Sequence, residues 1–189
     1  ITSDITIQSD STTRTIARGA NAPDFRFLEV ASSSILTVDD LIFQNGSTVD
    51  SDPSSFFGVN GGAIFNRGTL TLNNSTLSGN SASDDGGAIF NLGTLTVSTS
   101  TLSGNSVSDN GGAIDNRSTL TVSNSRLTGN SANTDGGAIF NNAALTVSNS
   151  TLSGNMTNRN GGAILHTIGI LTLNNSIIWN NSPDAIFND

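Results

Sequence analysis

Residues 61–80 read GGAIFNRGTLTLNNSTLSGN, and close copies of this stretch follow one another along the chain. The motif Gly-Gly-Ala-Ile begins at Gly61, Gly86, Gly111, Gly136 and Gly161, so it recurs every 25 residues without slippage. A fixed period of this length indicates one structural unit that is stacked on copies of itself. The repeat therefore predicts the architecture of most of the chain.

Within a unit the apolar residues follow a period of two, which is typical of β-strands. The longest alternation is Thr69-Leu70-Thr71-Leu72-Asn73, and it is flanked by Ala63-Ile64-Phe65 and Thr76-Leu77-Ser78. A strand rises about 3.3 Å per residue, so a unit of this length must bend into several short strands. Parallel pairing of each coil with the next predicts an all-β fold, a right-handed parallel β-helix with three faces and about seven coils.

Equivalent positions of successive coils stack into columns in such a fold, and four apolar columns form the predicted core. Their members are Ile64, Ile89, Ile114, Ile139 and Ile164; Leu70, Leu95, Leu120, Leu145 and Leu171; Leu72, Val97, Val122, Val147 and Leu173; and Leu77, Leu102, Leu127, Leu152 and Ile178. The last coil carries one extra residue between Leu165 and Gly169, which shifts its later positions by one.

Two columns of asparagine also run through the repeats, and we expect them to hydrogen-bond from coil to coil as structural ladders. The first ladder contains Asn66, Asn91, Asn116 and Asn141, and the second contains Asn80, Asn105, Asn130, Asn155 and Asn181. His166 takes the next place in the first ladder. No second His and no Cys accompanies it, so we interpret it as a cap or a turn residue and not as a metal ligand.

The chain is predicted to be one continuous domain with three parts. Residues 1–60 hold irregular coils and a long loop at 47–60, residues 61–160 hold four regular coils, and residues 161–189 hold the last coil and the C-terminal edge. Long loops on regular scaffolds often carry function. The alternative is a solvated insertion in which Phe56 or Phe57 packs against the outer wall.

Composition excludes several classes of function. The net charge is −8 and every basic residue is Arg, so we expect no binding of nucleic acid or anionic membrane. There is no Cys and no apolar run long enough to span a membrane, which excludes disulfides, thiol catalysis and a transmembrane helix. We expect no cofactor. The chain also begins without Met or a signal sequence, so we expect any export signal to lie outside this segment.

The repeats resemble a known family of bacterial surface proteins. Gly61-Gly62-Ala63-Ile64 is similar to the first element of the polymorphic outer-membrane protein repeat, whose second element is Phe-x-x-Asn. Leu77-Ser78-Gly79-Asn80 matches that second element with Leu in place of Phe. The resemblance implies a right-handed β-helix that is secreted or displayed on the cell surface, often with an adhesive or structural role. These motifs are architectural, so they specify the fold better than the activity.

Alternation predicts which side chains face outward. If Ile64 points inward, the next position points to solvent, and an exposed aromatic row would suit contact with a sugar or a protein. The row comprises Phe65, Phe90, Phe140 and Leu165, with Asp115 interrupting it. The alternative is that a loop or a neighbouring chain covers the row, although Asp115 argues against a buried position.

Threonine side chains are also predicted to face outward from the longest strands, which resembles the flat arrays of ice-binding β-helices. This face comprises Thr69, Thr71, Thr94, Thr96, Thr119, Thr121, Thr146 and Thr172. The alternative is that Thr simply suits an exposed strand.

The turns before the Gly-Gly pairs carry weak candidates for calcium ligands, namely Asp84, Asp85, Asp109 and Asp135. Their spacing matches no calcium motif, so solvated turn residues are the favoured interpretation.

A polysaccharide lyase or hydrolase would need carboxylates clustered with a base on one face. Asp115 and Arg117 are the best pair available, and we interpret them as a surface ion pair.

The sequence thus predicts a non-catalytic, extracellular or surface-displayed structural or adhesive β-helix, with ice binding and carbohydrate chemistry as alternatives. Its partners would be copies of itself or a surface glycan or protein. Both ends are apolar and strand-prone, with Ile5-Thr6-Ile7 at one end and Ile177-Ile178-Trp179 near the other. Either additional chain covers these edges, or molecules stack end to end into a fibre.

Overall fold

A computed structural model describes residues 1–48 and 59–189. In this part of the chain every regular element is a β-strand, and every strand pairing within the sheets is parallel. Successive coils pair with a register of 25 residues over the regular repeats. The predicted parallel β-helix, a parallel β-solenoid of about seven coils, is therefore confirmed, while its right-handed winding stays a prediction.

Four sheets form the wall of the solenoid, and we number them in the order in which the chain visits them in a regular coil. The first sheet contains Leu28–Val30, Ile64–Asn66, Ile89–Asn91, Ile114–Asn116, Ile139–Asn141, Ile164–His166 and Ile186–Asn188. The second sheet contains Ile5–Gln8, Ile35–Asp39, Thr69–Asn73, Thr94–Ser98, Thr119–Ser123, Ala144–Ser148 and Leu171–Asn174. The third sheet contains Arg14–Ala17, Leu41–Gln44, Thr76–Ser78, Thr101–Ser103, Arg126–Thr128, Thr151–Ser153 and Ile177–Trp179.

The fourth sheet is shorter and was not expected from the sequence. Its strands have two residues each, and they are Ser47–Thr48, Ser81–Ala82, Ser106–Val107, Ser131–Ala132 and Met156–Thr157. The predicted loop at 47–60 therefore starts with a strand, and its residues 49–58, including Phe56 and Phe57, lie outside the described residues.

The four predicted apolar columns line the interior. Their members in the regular coils, from Ile64 to Leu152, are almost fully buried and form one continuous cluster.

The corner between the second and third sheets needs a left-handed backbone, with φ of 47° at Asn74 and 50° at Asn124. Asn tolerates this conformation better than most residues, which explains why it recurs at the corner. The described residues contain no helix long and apolar enough to cross a membrane.

Candidate functional site

The row of aromatic residues on the first sheet is in register as predicted, but the prediction that it is exposed is wrong. Phe65, Phe90 and Leu165 are buried, and Phe140 is half-buried. Phe65 and Phe90 pack against each other with their ring centroids 5.4 Å apart. The row therefore offers little free aromatic surface for a ligand.

Arginine side chains cover this row from outside. The guanidinium of Arg67 lies 4.6 Å from the centroid of the Phe65 ring, and that of Arg26 lies 5.1 Å from it. Arg117 lies between the next two rings, 5.6 Å from Phe90 and 5.5 Å from Phe140. An arginine over an aromatic ring is attracted by the electron density of the ring face and shields it from water. This is the physical reason why outward-pointing residues are buried.

The segments that precede the Gly-Gly pairs help to hold these arginines. Arg26 donates hydrogen bonds to the carbonyl oxygens of Asn60 and Gly61, and Arg117 reaches the carboxylate of Asp85 at 2.9 Å. Each of these turns lies beside the outer surface of the first sheet. An arginine anchored to such a turn therefore spans the row.

Asp115 is fully buried in the row, so the sequence-based argument for an exposed position is wrong. Its carboxylate accepts two hydrogen bonds from Arg117, at 2.7 Å from Nε and 3.0 Å from Nη2. The predicted pairing exists, and it joins a fully buried carboxylate to the guanidinium of Arg117, an exposed residue. Asp85 accepts a further hydrogen bond from the same Nη2 of Arg117.

Burial dominates the electrostatics of this group. It raises the pKa of Asp115 to about 7, although the hydrogen bonds from Arg117 act in the opposite direction. Burial likewise raises the pKa of Asp85, while the hydrogen bonds to Asp115 raise the pKa of Arg117. Because the carboxylate of Asp115 is sealed from solvent, the geometry suits a structural clamp and not contact with a substrate.

The outer surface of the second sheet carries the predicted Thr face, and its side chains point away from the core. One column is longer than the sequence indicated, because the irregular coils extend it. Paired in register are Thr6, Thr37, Thr71, Thr96, Thr121, Thr146 and Thr172. The neighbouring column holds Thr only at 69, 94 and 119, between Ile35 and Ala144.

The structure contains both asparagine ladders. In the first, the side-chain amide of Asn66 donates to Asn91 at 2.7 Å, and the same bond recurs from Asn91 to Asn116 and from there to Asn141. In the second, each acceptor oxygen serves both the backbone N–H and the side-chain amide of the preceding Asn, as Asn105 does for Asn80. These side chains are almost fully buried up to Asn155. Satisfied networks of this kind rigidify a core, because each buried polar group has a partner.

His166 ends the first ladder in the described residues, with its Nδ1 2.7 Å from the side-chain nitrogen of Asn141. Every earlier rung donates in the same direction, so Asn141 donates and Nδ1 accepts. This assigns the proton of the neutral ring to Nε2. The ladder thus gives His166 the cap role predicted from the sequence.

Sequence reasoning missed a third ladder, made of serine. The backbone N–H of Ser75 donates to Oγ of Ser100 at 3.0 Å, and the pattern repeats from Ser100 to Ser125 and from Ser125 to Ser150. The signal was present in the sequence, since Ser recurs at the same place in each repeat.

The structure brings together three of the four weak calcium candidates. Asp84, Asp85 and Asp109 each place a carboxylate oxygen within 4.8 Å of the others, and Asp135 is not part of this group. Asp85 already accepts hydrogen bonds from Asn110 at 3.1 Å and from Arg117 at 2.9 Å. The arginine therefore supplies positive charge where a cation would have to bind. Asp135 lies 3.7 Å from Arg159.

These features define the class of protein to which the chain belongs. The chain is a parallel β-solenoid of stacked repeats whose recurring asparagines and serines are used internally, in hydrogen-bonded ladders. Three segments, residues 74–92, 99–117 and 124–142, match the family model of the Chlamydia polymorphic membrane protein repeat. The predicted resemblance to that repeat is therefore confirmed, and it indicates a surface-exposed bacterial repeat protein of the outer-membrane type.

Each matched segment contains both elements of the repeat in the same order. In residues 74–92, Leu77-Ser78-Gly79-Asn80 is followed by the Gly-Gly-Ala-Ile element that begins at Gly86. The Leu-x-x-Asn element supplies a core leucine and a ladder asparagine, and the Gly-Gly-Ala-Ile element supplies the turn and the first-sheet strand. No curated protein and no solved structure matches the chain.

Proposed function

We propose that the protein is a non-catalytic structural and adhesive element of a bacterial cell surface, in which copies stack end to end. The structural part of the proposal rests on the exposure of apolar side chains in the last coil. Leu173, Ile177 and Trp179 are exposed by 38%, 61% and 60%, although their counterparts in earlier coils are buried or polar. Several large exposed apolar side chains in one coil are a common mark of protein contact.

The opposite end of the described stack offers a matching surface. Ile5 is paired with Leu36 and so belongs to the column that ends with Leu171, while Ile16 is paired with Phe43 in the column that ends with Ile178. Ile5 and Ile16 are about 40% exposed, at 39% and 40%. A second copy could therefore continue each apolar column and pair the open strand edges. Such a head-to-tail contact does not close on itself, so it propagates into a fibre.

Light scattering behind size-exclusion chromatography, with electron microscopy of the same samples, tests this proposal. We expect the mass to rise with protein concentration and filaments to form. Leu173→Asp places a charge on the stacking surface and should leave only monomers. Ser148→Asp is the control, because it adds the same charge to the outer wall one coil earlier and should leave stacking intact. A wild-type protein that stays monomeric at every concentration would contradict end-to-end stacking.

Carbohydrate chemistry is the rival class, and the position of Asp115 argues against it. A general acid or base must come within hydrogen-bonding reach of its substrate. Asp115 is fully buried beneath Arg117, and its oxygens are already bound. An activity screen on acidic and neutral polysaccharides tests this point: we expect no turnover, and turnover that Asp115→Ala abolishes would establish an enzyme.

Ice binding is a second candidate function, and the unbroken column of Thr on the second sheet favours it. Within the described residues the hydroxyl groups of Thr71, Thr96 and Thr121 make no hydrogen bond to protein, so they are free to order water. If this face binds ice, thermal hysteresis is lost in Thr96→Tyr. It persists in Thr101→Tyr, which alters the third sheet of the same coil. Absence of hysteresis in the wild-type protein removes this candidate.

A further inference from the structure

A surface groove follows the fourth sheet, away from the clamp, the ladders and the Thr face. It has two stretches, one of about 450 Å³ and one of about 290 Å³. The two stretches share Val107 and Ser108, so they form one path along the solenoid axis. The larger stretch reaches Ser182 in the last coil, and the smaller begins at Thr48.

The floor of the groove is apolar in its middle, between Thr48 at one end and Thr157 at the other, and it is separate from the main core. Ala82, Val107 and Ala132 are paired in register and form their own buried cluster. The column beside them is more open, with Ser106 and Met156 exposed and Ser131 half-buried. A narrow apolar strip is therefore bordered by serine side chains in three successive coils and by Met156 in the next.

The rim carries hydroxyl groups that the protein does not use. Within residues 1–48 and 59–189, the side chains of Ser106, Ser108 and Ser131 make no hydrogen bond to protein. The serines of the interior ladder differ, because each Oγ there accepts a backbone N–H and donates to a carbonyl, as Ser100 does. Hydroxyl groups that are free at the edge of a groove are available to a ligand.

The groove is also uncharged, although the chain carries a net charge of −8. Among the described residues, no Asp, Glu, Arg or His side chain lines either stretch. A charged polymer would lose hydration in the groove without meeting an opposite charge. The lining therefore selects a neutral ligand.

The backbone of the fourth sheet is unavailable to a peptide that would bind as an added strand. Its N–H groups already donate to the neighbouring coil, as Ser106 does to Asn80 and Ser131 to Asn105. The groove also runs across the strands, so a bound chain would meet side chains and not an open strand edge. Recognition must therefore use hydroxyl groups, amides and the apolar floor.

We propose that this groove binds a neutral glycan chain that lies along the solenoid axis. Sugar rings present C–H faces to an apolar floor and hydroxyl groups to a polar rim, which is the chemistry found here. Coils follow one another at about 4.8 Å, so the same contacts recur along an extended polymer. The inference deepens the adhesive part of the proposed function and does not depend on stacking.

Affinity gel electrophoresis with soluble neutral polysaccharides tests the proposal, using hydroxyethylcellulose, galactomannan and arabinoxylan as probes and polygalacturonate as the acidic comparison. We expect at least one neutral polymer, and not polygalacturonate, to retard the protein. Ser131→Asp places a charge in the groove and should weaken that binding by about tenfold or more. Thr128→Asp adds the same charge to the third sheet of the same coil and should leave binding unchanged.

Circular dichroism and light scattering of each variant separate this test from that of stacking. Both variants should keep the wild-type strand content and mass distribution, so a change in binding reports the groove alone. No retardation by any neutral probe, preference for polygalacturonate, or equal binding by wild type and Ser131→Asp would each overturn the glycan proposal. A monomeric protein that still binds a neutral glycan would contradict stacking and leave the groove assignment intact.

Discussion

Residues 95–103 and 171–179 occupy equivalent places in their coils, yet they differ in burial. Leu95, Val97 and Leu102 are fully buried, whereas Leu173, the counterpart of Val97, is 38% exposed. The regular coil has a neighbour on both sides, and the last described coil has the short strand Ile186–Asn188 beyond it only on the first sheet. Burial of a column residue therefore comes largely from the adjacent coils, as expected of a solenoid.

The outward positions of the two segments differ as well. Thr101 and Ser103 of the regular coil correspond to Ile177 and Trp179 of the last coil, which are both exposed. Loss of a neighbouring coil does not explain large apolar residues at positions that face outward in every coil. This part of the difference lies in the sequence itself, and it supports the proposal that the last coil contacts a partner.

The strongest test of close contact between coils is Gly112→Ala. A Cβ at Gly112 would overlap the carbonyl oxygen of Gly137 in the next coil, and backbone atoms of Ser131 would lie 2.7 Å away. We expect a loss of about 4 kcal/mol or more in the free energy of unfolding, measured by urea denaturation. Gly104→Ala is the control, because a Cβ there meets nothing within 4 Å and only the positive φ of 59° opposes it, at about 1–2 kcal/mol. Equal losses would show that the coils are not in close contact at Gly112.

The second test compares two leucines of one column. Leu120→Ala removes a side chain that is 1% exposed, and we expect a loss of about 3–4 kcal/mol in the free energy of unfolding. Leu171→Ala removes a half-buried side chain of the last coil, so we expect about 1 kcal/mol. Urea denaturation of a dilute sample measures both. Similar losses would contradict the dependence of burial on a following coil.

The third test applies the same comparison to a polar ladder. Asn130→Ala leaves the backbone N–H and the side-chain amide of Asn105 without their shared acceptor, which should cost about 2–3 kcal/mol of unfolding free energy. Asn181→Ala removes the same two bonds from Asn155 in the last coil, where water can replace them, so we expect about 1 kcal/mol. Thermal or urea unfolding distinguishes the two values. A larger loss for Asn181→Ala would contradict this account.

The fourth test concerns the pH dependence of stability. Because burial raises the pKa of Asp115 from 3.8 to about 7, the folded protein binds this proton more tightly than the unfolded chain does. Stability should therefore fall as the pH rises from 3.8 to about 7, by at most about 1.4 kcal/mol per pH unit. Asp115→Phe copies the residue found at Phe90 and Phe140 and should flatten this slope. A smaller slope should remain, because the pKa of Asp85 is raised too. An unchanged slope in the variant would show that Asp115 does not cause it.

Much of the fold could be predicted because the repeat keeps equivalent residues at equivalent positions. The inward columns headed by Ile64 and Leu70, the ladder asparagines and the outward Thr residues all follow from period and alternation. The fourth sheet could not be predicted in the same way. Two-residue strands such as Ser81–Ala82 are too short to show any alternation.

The burial of the aromatic row could not be predicted from alternation alone. Alternation distinguishes inward from outward side chains, but it does not show what else packs on the outer surface. Phe65 and Phe90 point outward and are covered by arginines from outside their own strands. Arg67 and Arg117, each two residues after a row position, were the available signal. The burial of Asp115 could not be predicted, because its partners, Arg117 and Asp85, come together only in the folded structure.

Hydrogen exchange measured residue by residue tests the comparison of the two segments most directly. In dilute solution, we predict that backbone amides of residues 95–103 are protected at least about a hundredfold more strongly than those of residues 171–179. Protection of residues 171–179 should then rise with protein concentration, as stacked copies supply the missing neighbour. Equal protection of the two segments in dilute solution would contradict the claim that burial in each coil depends on the coils beside it.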